Sequence, residues 1–153
     1  MRRFLSLYLP NWSIDLATYQ RKVAGNEPSS VTALVKSVAQ QLIIERISPA
    51  GYRAGIREGM SLTLARAIMP MLSVVSYNET ADRAALHQLA VKLLVFSPFA
   101  GVEPERLDRG ASKIFDGILL DITGTERIHG SKQALARRVH AMLAQLGVAS
   151  RIG

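Results

Sequence analysis

Residues 114–130 read IFDGILLDITGTERIHG, and the fold turns on them. Their centre, residues 117–123, is short, apolar and partly β-branched, and Gly124 follows. That is the pattern of a buried central strand running into a turn. Asp116 and Asp121 lie on this stretch, five positions apart. Strand side chains alternate faces with period two, so an unbroken strand sends the two acids to opposite faces. A two-metal site needs several carboxylates converging on one face, and only one of this pair can join such a site.

Helical patterns flank the strand. Downstream, Ser131 caps a helix reaching Leu146, with Leu135, Val139, Leu143 and Leu146 on one face and Gly147 at its end. Residues 148–152 begin a further strand and the apolar pattern stops at the last residue, which is expected of a piece of a longer protein. Upstream, Leu86, Leu89, Ala90, Leu93 and Leu94 form one apolar face of a helix over residues 80–96, ended by Ser97-Pro98. Residues 103–110 read as polar and irregular.

Nearer the N-terminus, residues 3–9 (RFLSLYL) predict a first strand closed by Pro10, and Asn11 can cap a helix over residues 12–22. Residues 31–36 and 41–47 predict a hairpin. A short helix through Tyr52 and Arg53 ends at Gly55, and residues 55–60 form a turn. A second short helix over residues 61–68 stops before Met69-Pro70, and residues 72–77 form a strand. Strands with helices packed on one face of a mixed or antiparallel sheet make an α+β domain. The expected division is residues 1–36 and 77–153 around the sheet, with residues 37–76 as a small subdomain.

Composition sets further bounds. The chain has 153 residues, 48% hydrophobic, enough for a real core. It has no cysteine, which removes disulfide scaffolds and thiolate zinc sites. The N-terminal apolar run stops at Pro10, no small-residue cleavage site follows, and no run approaches about 18 apolar residues, so a cytoplasmic location is expected. The formal net charge of +7 suits a polyanion such as DNA, although the basic residues are scattered.

Several phrases together carry a resemblance. Residues 119–124 (LLDITG) resemble the strand that follows the Ser-Ile-Asp-Glu catalytic motif of Y-family translesion DNA polymerases. Residues 8–12 (YLPNW), 55–60 (GIREGM), 65–70 (ARAIMP) and 96–98 (FSP) resemble further motifs of that family, in the same order. The resemblance spans essentially the whole chain and implies a polymerase palm with a small fingers subdomain. It sets Tyr8, Asp116 and Gly117 on the three metal-carboxylate positions, so Asp116 alone remains as a candidate metal ligand. It sets Pro49 and Tyr52 on the Tyr and Arg that grip the incoming triphosphate, with Arg53 one residue along, and Ser13 on the aromatic that excludes ribonucleotides.

Tyr and Gly cannot supply the hard anionic oxygens that Mg²⁺ requires. The LPxW and LLDITG phrases and Gly130 resemble those of the ImuB-like accessory proteins, a subgroup that keeps the fold. The resemblance implies a non-catalytic subunit of bacterial damage-induced mutagenesis, nucleoid-associated when on DNA. Its implied partners are DNA, an error-prone DnaE-type polymerase, a RecA-like protein and the sliding clamp, the protein partners being held by segments outside this chain. No cofactor is expected. The competing expectation is an active, divergent polymerase using Mg²⁺, for which Glu103, Glu105 and Asp108 are the nearby substitute acids.

Other polar residues read as structural. His87, His129 and His140 lack ligand spacing, and Ser6, Ser13 and Ser97 lack a nucleophile-elbow context. Asp121 is expected to bond the Thr123-Gly124 turn, Trp12 to anchor a core or an interface, and Arg137-Arg138 to form a solvated helix face.

Overall fold

A computed structural model of the chain describes residues 1–27, 31–104, 106–107, 113–114 and 116–153. In order, the elements are β1 (Phe4–Tyr8), α1 (Trp12–Val23), β2 (Thr32–Val38), β3 (Gln41–Ile47), α2 (Pro49–Arg53), α3 (Leu62–Ile68), β4 (Ser73–Ser76) and α4 (Glu79–Lys92). A 3₁₀ turn (Leu93–Val95) follows, then β5 (Ala100–Val102), β6 (Arg106–Leu107), β7 (Lys113–Ile114), β8 (Gly117–Asp121), α5 (Glu126–His129), α6 (Lys132–Gln145) and β9 (Arg151–Ile152). The architecture is α+β, as the patterns require.

The chain divides into two compact units, Met1–Trp12 with Thr80–Gly153, and Ser13–Glu79. In the first, a four-stranded sheet has the order β5-β8-β1-β9, and every neighbouring pair is antiparallel. The strand read as central is central, lying between β5 and β1. It is shorter than its apolar pattern: β8 starts at Gly117 as read but ends at Asp121, and Lys113–Ile114 pairs separately with Arg106–Leu107. Part of the segment read as irregular is therefore extended and paired.

Alternation sorts the two faces of this sheet. Leu5, Leu7, Ile118 and Leu120 are buried, and in the same unit the stripes Leu86-Leu89-Ala90-Leu93 of α4 and the turn after it and Leu135-Val139-Leu143 of α6 are buried too. The opposite face carries Phe4, Ser6, Tyr8, Leu119 and Asp121 and stays partly open. The upstream helix differs from its reading at the end: its last turn tightens to 3₁₀ geometry and leaves Leu94 45% exposed. The downstream helix starts as read, with Ser131 Oγ accepting from Ala134 N at 3.1 Å.

In the second unit, β3-β2-β4 form a sheet in which β2 and β3 are the expected hairpin and β2 and β4 run parallel. Ala39 and Gln40 both take positive φ in the hairpin turn, the geometry that matches the twist of the strands although neither is glycine. Its main core gathers Ala33, Val35, Ile44, Ile56, Leu62, Ala65 and Leu72. A smaller cluster, Ile14, Ala17 and Leu34, holds α1 against this sheet, so α1 and β2 belong to the same unit as β3 and the two short helices. Glu45 is buried and pairs with Lys36 across the hairpin at 2.6 Å.

Candidate functional site

The register of the first sheet builds a row across its open face. Tyr8 of β1 lies directly opposite Gly117 of β8 on one side and Arg151 of β9 on the other. On the far side of Gly117, Glu103 continues β5, its N–H donating to Gly117 O at 2.9 Å. Reading across the strands, the row is Glu103, Gly117, Tyr8, Arg151. Parity places all four on the same face as Ser6, Leu119 and Asp121.

Glu103 fills the gap that Gly117 leaves. A Cβ at position 117 would lie only 2.7 Å from the Glu103 carboxyl carbon and closer still to Oε2. The side chain thus crosses β8 where that strand has no side chain. On the far side, Ser6 Oγ of β1 donates to Glu103 Oε1 at 3.1 Å. One carboxylate ties an outer strand to β1 over the top of the strand between them. Glycine in a strand interior often marks such a close approach. That signal was present in the sequence, where Gly117 reads instead as a missing acid.

The two aspartates separate as the period requires. Asp116 is 8% exposed, and its backbone O accepts from Leu9 N at 2.8 Å, continuing the β1 pairing. Asp121 lies on the open side and accepts from Thr123 N at 3.0 Å. The Thr123 side-chain and backbone hydrogen bonds hold its carboxyl below the usual aspartate range. Among the described residues, no group of three or more His, Asp or Glu is placed to hold a metal ion. Glu105 and Asp108, two of the three substitute acids named from the sequence, lie outside the described residues.

The remaining sequence-named positions lie in the second unit. Pro49 opens α2, Tyr52 lies within it and Arg53 ends it, all exposed, and Ser13 is in the first turn of α1. Sequence reasoning missed Arg57 here. Its guanidinium carbon sits 3.7 Å above the Tyr52 ring centroid.

The residues read as structural have structural partners. Trp12 is buried and its indole N–H donates to Asp82 O at 3.0 Å. Ser97 Oγ accepts from Phe99 N and lies 2.6 Å from Asp121 O, pinning the Ser97-Pro98 turn to the end of β8. His129 meets Arg138 at 3.2 Å and His140 meets Ser150 at 2.9 Å. No described helix is long and apolar enough to cross a membrane.

Two antiparallel and mixed sheets with these helices reproduce the palm-and-fingers fold of Y-family DNA polymerases. A post-insertion binary complex of Dbh DNA polymerase superposes with a TM-score of 0.72 at 13% identity, over 100% of this chain and 41% of that one. DinB from Sulfolobus solfataricus gives 0.65 at 14% identity, over 100% and 41%. In sequence the chain is ImuB-like and Y-family-like. Protein ImuB of Caulobacter vibrioides is 32% identical over 97 residues, 63% of this chain and 19% of the relative. DNA polymerase IV of Dehalococcoides mccartyi is 31% identical over 111 residues, 70% of this chain and 26% of the relative. The chain thus spans between a fifth and about a quarter of the length of these curated relatives. No family model matches it.

Proposed function

We propose that this chain forms part of a non-catalytic Y-family polymerase-like protein that serves damage-induced mutagenesis and translesion synthesis by binding DNA and protein partners. The observation that carries this reading is the row on the open face. Tyr8 and Gly117, which the resemblance sets on two of the family's metal-carboxylate positions, stand opposite each other. Arg151, a cation, borders Tyr8 in the same row. Beside the single Glu103 carboxylate of this row, a phenol, a glycine and a guanidinium make a poor donor set for hard divalent ions. Phosphoryl transfer by two metals clamps the attacking and leaving oxygens, and that clamp needs converging acids.

A net charge of +7 favours non-specific contact with phosphates, which weakens as salt rises. The proposed protein partners are an error-prone DnaE-type polymerase, a RecA-like protein and the sliding clamp, and the proposed place of action is the cytoplasm, on the nucleoid. A second reading, an active divergent polymerase that uses Mg²⁺, draws on the Glu103 carboxylate beside Gly117, which restores one acid to the row. Primer extension by the purified full-length protein, with Mg²⁺ or Mn²⁺ and all four nucleotides, separates the two. The expected result is no extension. Extension by the wild type that disappears in Asp116→Ala overturns the non-catalytic reading.

A further inference from the structure

The turn after α2 holds an arginine in an unusual state. Arg57 Nη1 donates to Tyr52 O at 2.6 Å and to Ile56 O at 3.0 Å, while the guanidinium stacks on the Tyr52 ring. Both side chains are exposed, Tyr52 at 56%. The two carbonyls fix the guanidinium plane and leave its Nε–H and second amino group pointing to no protein acceptor among the described residues. The neighbouring acid, Glu58, faces Arg46 at 3.7 Å instead. Among the described residues no carboxylate pairs with Arg57 or with Arg53, the next cation along.

This is a half-exposed aromatic ring stacked with a held cation that no carboxylate among the described residues neutralises. An aromatic ring takes the π-face of a base, and a fixed guanidinium takes a phosphate. Duplex DNA buries its base faces in the stack, so it offers phosphate alone. An unpaired nucleotide offers both. We propose that the Tyr52–Arg57 stack is a docking point for an unpaired nucleotide of single-stranded DNA, base against the ring and phosphate against the guanidinium. The proposal rests on the DNA-binding reading above and assigns a place and a strand state to it.

The test is fluorescence anisotropy of a labelled oligothymidylate with the full chain, beside a duplex of equal length and a nucleoside triphosphate as competitor. Tyr52→Ala is expected to weaken single-strand binding by on the order of tenfold or more, with duplex binding unchanged and Tyr52→Phe close to wild type. Arg57→Gln is expected to lower the salt slope for the single strand by about 0.7. Photocross-linking of a 5-iodouracil oligonucleotide to the wild type is expected to map to Tyr52, a readout that needs no variant. Equal affinity of Tyr52→Ala and wild type, equal loss for duplex and single strand, or cross-links that avoid α2 overturn the proposal and leave the DNA-binding reading standing. Dependence on Tyr52 for the triphosphate alone also overturns it. Wild-type binding to neither DNA form overturns both.

Discussion

Replacing Gly117 with alanine tests whether the carboxylate bridge over β8 holds the sheet together. Gly117 does not occupy the left-handed region, so alanine fits its backbone, and on conformational entropy alone the change should stabilise by roughly 0.4–1 kcal/mol. Against that, the new Cβ would meet the Glu103 carboxyl carbon at 2.7 Å and its Cβ at 3.0 Å. The second contact is near the backbone, so Glu103 cannot clear it by moving only its tip. The side chain must swing away and release Ser6. A hydrogen bond to a charged group contributes about 1.5–3 kcal/mol, and partial solvent access places this one near the lower end. The net expectation for Gly117→Ala is a loss of about 1 kcal/mol.

In a Glu103→Ala background the carboxyl overlap is gone and only the Cβ–Cβ contact at 3.0 Å remains, so the same substitution should cost clearly less. The difference between the two backgrounds, a coupling of about 1.5 kcal/mol, is the diagnostic. Urea unfolding followed by the fluorescence of Trp12, the single tryptophan and a buried residue of the same unit, measures it. Equal effects of Gly117→Ala in both backgrounds, within about 0.5 kcal/mol, would refute the bridge.

Two further substitutions follow from local geometry. Ser131→Ala removes the cap of α6 and should cost about 1 kcal/mol in the same urea assay, with Ser131→Asp retaining most of it. Asp121→Asn removes a carboxylate whose pKa is depressed by the Thr123 hydrogen bonds. A depressed carboxylate stabilises the fold above its unfolded pKa and loses that contribution as pH falls through the folded one. Wild type should therefore exceed Asp121→Asn in stability at neutral pH, and the difference should shrink as pH falls below the ordinary aspartate value of about 3.9 and vanish only below the depressed folded value.

The parts of the fold that were legible in the sequence are those that periodicity writes locally. The apolar stripes of α4 and α6, the alternation in β1 and β8, and the Ser131 cap each sit within one turn or one strand. Pairing between distant residues left no such mark. The brief β6–β7 pair was unreadable because two-residue strands carry no period. The assignment of α1 to the second unit depends on Ile14 and Ala17 meeting Leu34, a contact that no local pattern announces.

The candidate site divides in the same way. Tyr8, Asp116 and Gly117 could be named from motif order, but not the crossing of Glu103 to Ser6, which needs the strand order β5-β8-β1. Arg57 was passed over because a basic residue in a glycine turn reads as solvated. Only its two carbonyl partners reveal that it is fixed.

The gap above Gly117 also sets the order in which substitutions can be accepted. Gly117→Glu alone would force a second carboxylate into space that Glu103 already occupies, adding like-charge repulsion to the overlap. Glu103→Ala alone would leave Ser6 without its acceptor and gain nothing at position 117. Each single step is therefore downhill, and the route to an acid on β8 runs through a valley that only the double change crosses. Libraries of single substitutions would return an apparent dead end at this position, whereas pairwise libraries over residues 103 and 117 would open it.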